Sequence, residues 1–355
     1  MVVDRAQNVT TPRITDEANL LDWVCRYIEG QGFTYPREVV ADYYISLKTK
    51  PFVILTGVSG TGKTRLTQLL ADALTSAGSG HYLLVPVAPD WTDNSYLMGY
   101  YNVIQERQID TAFSRFYNMA GDVRKEPFFV CLDEMNLAKV EHYFSHFLSN
   151  METGDFPANL FITGTVNIDE STYQFSRKVL DRANTIEFND VNLLDRPRGG
   201  DVYDSFTVGE RQAMFDLFLV SREMEWDEDV LFTLDGINAI LKKRNLQFAY
   251  RVRNEVLKFV GNAEGLLEKY TALDLQILQK VLPKLSGTRE QLERVLVEML
   301  SYLLLGNNDP LPAPVKDLYL LDPAEYEECL FPRSAKKIAR MLARVREDGF
   351  VTFYE

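Results

Sequence analysis

Short apolar runs alternate along the chain with longer stretches in which apolar residues return every three or four positions. Phe52–Leu55, Tyr82–Val87, Phe128–Leu132 and Leu160–Thr165 run without a charge, the pattern of strands buried on both faces. Between them Arg65–Leu74, Thr111–Met119 and Val140–Met151 carry the helical period. Strand and helix in alternation predict an α/β fold, a parallel sheet sandwiched by helices. Ahead of the first strand, Leu20, Leu21, Trp23, Val24, Tyr27 and Ile28 share one helical face, which Gly30 and Gly32 end. The segment "PREVVADYYISLKT" predicts a second short helix, and the polar residues 1–15 predict a frayed end.

After the last predicted strand, "VNLLDRPRGGDVYDS" (191–205) loses periodicity and predicts a linker. From there the pattern is helical over 208–224, 228–242, 251–262, 272–285 and 288–305. In "ILQKVLPKL" the residues Ile277, Leu278, Val281, Leu282 and Leu285 predict core. "GNNDPLPAPVKD" breaks the pattern, and "SAKKIARMLARVREDGF" restores it as an amphipathic helix and turn.

Composition narrows the class without naming a function. With 46% hydrophobic and 25% charged residues, the 355-residue chain has the make-up of a soluble globular protein of one large or two ordinary domains. No apolar run approaches the ~20 residues a membrane helix needs. The start has no signal-peptide pattern, so a cytoplasmic protein is expected. Cys25, Cys131 and Cys329 are too scattered for a disulfide framework or a zinc ribbon and predict reduced thiols. The net charge of −13 argues against broad electrostatic capture of DNA, so any nucleic-acid contact must be local or belong to a partner.

The candidate chemistry sits at the ends of the predicted strands. "GVSGTGKT", Gly57 to Thr64, follows one strand and opens a helix, with the spacing G-x-x-x-x-G-K-T. Gly57, Gly60 and Gly62 permit a turn whose backbone N–H groups face phosphate oxygens. Val58, Ser59 and Thr61 complete that loop, and Arg65 follows it. Lys63 supplies a cation for the outer phosphates, and the Thr64 hydroxyl is a Mg2+ ligand candidate. "FFVCLDEMN" ends a second strand in Asp133, a further metal-shell candidate, and Glu134, a candidate base for the attacking water. "LFITGTVNIDEST" ends a third in Asn167, which can orient that water. Arg182 in "FSRKVLDRANTIEF" can reach a neighbouring subunit's nucleotide, and Arg251 in "FAYRVRNEVLKFV" can touch phosphate from the helical region; Arg177 and Arg253 are weaker candidates for the same roles.

In this order, and over residues ~50–300, these motifs resemble the AAA+ P-loop ATPases. Finer stretches are similar to one branch, the McrB-like motor subunits of methylcytosine-specific restriction systems: "SLKTKPFVILTGVSGTGKT", "VAPDWTDNSYLMGYYN", "LDEMNLAKVEHYFSHFLSNMET", "GTVNIDESTYQFSRKVLDRAN" and "FPRSAKKIARML". The resemblance implies a hexameric ring that hydrolyses ATP or GTP with Mg2+ and is stimulated by a McrC-like nuclease. Its roles carry over to Lys63, Thr64, Asp133, Glu134, Asn167, Arg182 and Arg251. It also implies an N-terminal helical collar over 1–48, an α/β nucleotide-binding core over 49–195, a helical lid over 196–310 and a C-terminal extension over 311–355. Two departures stand out. The best-known member has an Asn-Thr-Ala-Asp stretch associated with GTP, whereas this chain has Asn167-Ile168-Asp169-Glu170, so both nucleotides stay open. Only about 50 residues precede the motor, so DNA reading is expected on another chain. A MoxR-like remodelling chaperone is the alternative; a nucleotide-gated scaffold would have no use for a water-activating Glu134.

Three further features carry weaker expectations. His142 and His146 share a helix face but lack a third ligand, which predicts a structural or subunit-contact role. The aromatic loop 89–101 can face a pore and stack on a substrate, or pack against the collar or a neighbour. Arg333, Lys336, Lys337, Arg340, Arg344 and Arg346 concentrate positive charge on one helix, as a solvated or acid-paired face or as a docking site.

Overall fold

The computed structural model describes residues 13–168, 173–189, 204–305, 326 and 329–354. Asp169, Glu170, most of the expected linker 191–205, the "GNNDPLPAPVKD" segment and residues 1–12 lie outside the described residues.

The chain opens with α1 (Glu17–Gly30), whose first turn is capped by the Asp16 carboxylate accepting from the Asn19 N–H at 2.8 Å. α2 (Arg37–Thr49) follows and is buried from Val40 to Thr49. The α/β region comprises β1 (Phe52–Gly57), α3 (Lys63–Thr75), β2 (Tyr82–Pro86), α4 (Ser95–Met98), β3 (Tyr100–Asn102), β4 (Arg107–Ile109), α5 (Ala112–Asp122), β5 (Phe128–Asp133), α6 (Val140–Tyr143), α7 (Ser145–Thr153), β6 (Leu160–Asn167), α8 (Arg177–Leu180) and β7 (Asn184–Glu187). Strands β2-β5-β6-β1-β7 form one parallel sheet in that order. This is the expected α/β sandwich. β1 and β6 are buried almost throughout because helices cover both faces.

One face packs on α1, α2 and α3, and the other on α5, α6 and α7. α2 is central: the Tyr43 hydroxyl meets the Thr163 hydroxyl of β6 at 2.7 Å, and Trp23 Nε1 of α1 donates to the Ala73 carbonyl of α3. The helical region comprises α9 (Val208–Leu219), α10 (Glu228–Lys242), α11 (Tyr250–Ala263), α12 (Lys269–Gln276), α13 (Arg289–Leu305) and α14 (Pro332–Asp348), with a small ladder of β8 (Gly287–Thr288) and β9 (Phe350–Val351). Its own core joins α10 to α14.

Three local patterns differ from the sequence expectation. The helix expected over Val140–Met151 is interrupted at Phe144, which ends α6 and precedes α7 with φ and ψ of −112° and −2°. The helix expected over 272–285 widens into a π turn at Ile277–Val281 and closes as a 3₁₀ turn at Leu282–Lys284, where Pro283 has no N–H to continue the ladder. The aromatic stretch after Met98 is an antiparallel hairpin, β3 with β4, which leaves Tyr100, Tyr101, Val103 and Ile104 exposed. Neither that hairpin nor the four-residue β7 has a hydrophobic period long enough to show in sequence.

The C-terminal helix is tied to both regions. The buried Asp274 carboxylate caps α14 by accepting from the N–H groups of Arg333 (2.8 Å) and Ser334 (3.0 Å). Among the described residues, three of its six basic residues are acid-paired: Lys337 with Glu187 on β7, Arg346 with Glu293, and Arg333 with Glu38. Arg340 and Arg344 are exposed. Among the described residues no helix is long and apolar enough to cross a membrane, and Cys25, Cys131 and Cys329 form no disulfide.

Candidate active site

β1 ends in Gly57 and α3 begins at Lys63, so the phosphate-loop segment spans a strand end and a helix start. Two glycines are required there by geometry. A Cβ on Gly57 would collide with the Phe188 carbonyl, and Gly62 holds φ at +87° under the Tyr35 ring. The Tyr35 hydroxyl donates to the Gly62 carbonyl at 2.9 Å. Burial pushes its phenol up to about 12, which keeps it protonated and a donor. Lys63, buried at 5% exposure, donates from Nζ to the carbonyls of Gly57 (2.9 Å) and Val58 (2.7 Å). The ammonium therefore lies inside the curl of the loop. Thr61 closes the loop by donating to the Val58 carbonyl at 3.0 Å, while Val58, Ser59 and Gly60 are exposed. Arg65 lies over the Phe33 ring, 4.9 Å from its centroid, and bonds Gln68.

The three strand ends converge on this loop. The Thr64 hydroxyl donates to Asp133 Oδ1 at 2.6 Å, so an α3 side chain and the β5 tip share one oxygen. Thr165 of β6 donates to the same oxygen at 2.7 Å, and its hydroxyl also accepts the Glu134 N–H at 3.0 Å. Glu134 adopts φ +53° and ψ +47°, the left-handed region that non-glycine residues rarely occupy. The Thr165 bond holds that turn. It sends the Asp133 and Glu134 side chains in different directions, Asp133 toward Thr64 and Glu134 toward Asn167, whose Nδ2 donates to Glu134 Oε1 at 3.1 Å. Parallel pairing of β1, β5 and β6 brings Gly57, Asp133 and Asn167 to the same edge of the sheet.

Thr165 joins the candidate site through these bonds, and the sequence pattern does not single it out. Its one signal is a second hydroxyl residue in the otherwise apolar β6, two positions before Asn167. Tyr35 is likewise invisible in sequence, because its link to Gly62 spans a loop and two elements.

Arg182 and Arg251 come together away from this row, on one carboxylate. Glu152 at the end of α7 pairs with the Arg182 guanidinium and accepts from Arg251 Nη1 at 2.6 Å. Arg253 instead stacks against Trp226 and Tyr250, 4.9 and 4.8 Å from their centroids. A cleft of about 810 Å³ between the start of α2 and the α11–α12 connection is lined by Arg37, Trp226, Glu264 and Lys269 among others, and by none of the strand-end residues.

The donor set suits a hard divalent cation. Thr64 Oγ1 and Asp133 Oδ1 are both oxygens, one is carboxylate, and they already approach each other. Lys63 and the loop N–H groups add the positive field that a polyphosphate needs.

The family comparison agrees with this geometry. Residues 52–195 match the AAA domain (dynein-related subfamily), and residues 205–350 match a domain of unknown function (DUF8727). Among solved structures the chain is similar to a candidate ATPase from Cytophaga hutchinsonii, with 16% identity, a TM-score of 0.48, and 74% of this chain and 84% of that one covered. It is also similar to C. elegans PCH-2, with 14% identity, a TM-score of 0.26, and 92% and 70% covered. No curated protein matches. The sheet, the loop and the strand-end acids define a P-loop nucleotide-binding fold. Residues 52–195 have the fold of the AAA domain that they match, and a helical C-terminal region follows.

Proposed function

We propose that this protein is a ring-forming, Mg2+-dependent nucleoside triphosphatase, the motor subunit of a McrBC-like DNA restriction complex. In that role it hydrolyses ATP or GTP to drive DNA translocation or to activate a partner nuclease. The observation that carries the hydrolytic part is the split of Asp133 and Glu134 between Thr64 and Asn167, locked by Thr165. A protein that only senses nucleotide needs the first contact and has no use for the second.

Thr64 and Asp133 would hold the Mg2+, which would supply positive charge to stabilise the leaving diphosphate. Lys63 binds the outer phosphates. Glu134 accepts the proton of the attacking water as its oxygen bonds the terminal phosphorus and the bond to the leaving diphosphate breaks. Asn167 holds the Glu134 carboxylate in place for that transfer. Arg182 serves the terminal phosphate from a subunit edge, and Arg251 touches phosphate from the helical region. The restriction-complex assignment rests on the motif stretches shared with McrB-like motors. The exposed Tyr100, Tyr101, Val103 and Ile104 of the hairpin suit contact with a polymer threaded past it.

The test is phosphate release with ATP and with GTP, for wild type and Glu134→Gln, with particle mass read under each nucleotide. Turnover that needs Glu134, nucleotide-dependent rings and stimulation by DNA with a nuclease encoded beside this chain are the expected results. Stimulation by unfolded protein and indifference to DNA would move the protein to the remodelling class.

A further inference from the structure

Arg182 is aimed before any partner arrives. Its Nε donates to the Leu148 carbonyl at 3.2 Å and its Nη1 to the Lys178 carbonyl at 2.7 Å, which leaves Nη2 for Glu152. Its backbone is also held. The Asp181 carbonyl accepts from Lys50 Nζ (3.0 Å) and Lys280 Nζ (3.3 Å), the Ala183 carbonyl accepts from Lys280 at 2.8 Å, and Lys284 pairs with the Asp181 carboxylate at 2.6 Å. Arg251 reaches the same Glu152 from the first turn of α11. The Glu152 side chain is 33% exposed and that of Arg251 52%, so the pair opens to the surface. The Arg182 bond, with Arg251 adding to it, holds the Glu152 carboxyl below its usual range.

Two guanidiniums converging on one small oxyanion is the donor geometry that fits a phosphoryl group. We propose that Glu152 is an internal stand-in for that group. In a lone subunit it holds Arg182 and Arg251 side by side and offsets one of their two charges, and the terminal phosphate of a nucleotide bound to a second copy of this chain displaces it. The inference rests on the reading of Arg182 as an edge arginine that serves a neighbour's nucleotide. Charge decides the exchange: a carboxylate carries one negative charge, and a terminal phosphate carries more and offers three oxygens. Exposure lowers the barrier, because a released Glu152 is hydrated at once. Without Glu152, two like charges would face each other and attract any passing anion.

The experiment follows assembly of the full chain with a non-hydrolysable ATP analogue by mass photometry across protein concentration. Phosphate release with ATP, analogue affinity at low protein concentration and melting temperature are measured alongside. Glu152→Gln is expected to lower the midpoint of assembly several-fold and leave analogue affinity unchanged. Glu152→Asp should restore the wild-type midpoint, and the Glu152→Gln effect should vanish in an Arg182→Ala background. An unchanged midpoint in Glu152→Gln, or an effect that persists without Arg182, overturns the proposal. If Arg182→Ala assembles and turns over like wild type, the edge reading of Arg182 falls and the proposal with it. If Arg182→Ala is impaired while Glu152→Gln is silent, the proposal alone falls. A wild type that assembles with neither ATP analogue nor ATP also overturns it.

Discussion

In the α/β region the polar side chains gather at the open ends of β1, β5 and β6, where Asp133, Glu134 and Asn167 are half-buried and face the loop of Lys63. In the helical region the polar groups are turned inward and closed on one another. Glu255 of α11 sits between Lys50 and Lys280, Asp274 caps α14, and Gln279 donates to the fully buried Asp42 of α2. The first arrangement lies at open strand ends that a ligand can reach, and the second is packed between helices. A polar group at a strand end can therefore serve chemistry, whereas the same group between helices serves the alignment of elements. Substitutions in the two regions should separate along that line, the first changing turnover and the second changing stability.

Glu134→Gln should give the sharpest split. It is expected to lower turnover by about 10³-fold, within the range for a general base, with nucleotide affinity and melting temperature retained. Loss of fold instead of rate would erase the contrast. Glu255→Ala is its counterpart. It strands the Lys50 and Lys280 charges, where burial already pushes the Lys50 ammonium well below its ordinary range. Breaking a buried pair in this way costs about 3–5 kcal/mol, to be read from denaturant unfolding. Unfolding curves that superimpose on wild type would show that water already reaches this cluster.

Thr165→Val removes the hydroxyl that joins Asp133 to the Glu134 backbone while keeping side-chain shape. A hydrogen bond to a charged group is worth about 1.5 kcal/mol, so kcat should fall roughly tenfold, with little change in nucleotide affinity. An unaltered kcat would mean that the left-handed turn at Glu134 holds without it.

The smallest effect is one of pH. Burial pushes the Asp42 carboxyl up to about 7 from its ordinary 3.8, although Gln279 donates to it. The folded chain then keeps a proton that the unfolded chain has released. The stabilisation is complete below the unfolded value and is lost as pH rises through about 7. Asp42→Asn mimics the protonated acid, so its stability relative to wild type should climb between pH 4 and 8. Parallel melting-temperature profiles would show that Asp42 is ionised throughout.

Much of the strand-end site was legible because its parts lie in short contiguous motifs. Gly57–Thr64, Asp133–Glu134 and Asn167 each follow an apolar run, and a parallel sheet has only one edge at which such ends can meet. The placement of Arg182 and Arg251 was not legible, since their common partner Glu152 carries no motif of its own. Nor was the burial of α2, because Asp42, Ser46 and Lys48 read as a polar helix face until Gln279 and Glu17 are known to meet them.

The sequence by itself determined the α/β alternation, the phosphate loop, the acids that follow β5 and the helical character of the second region. Each depends on periodicity or on neighbours within a few residues, and such information is local. Tertiary structure decided that Thr165 binds Asp133 to Glu134, that Tyr35 roofs the loop, and that two arginines 69 positions apart in the chain close on Glu152. Those contacts join segments far apart in the chain, and their geometry exists only once the sheet has set its register and the helices have packed on its faces.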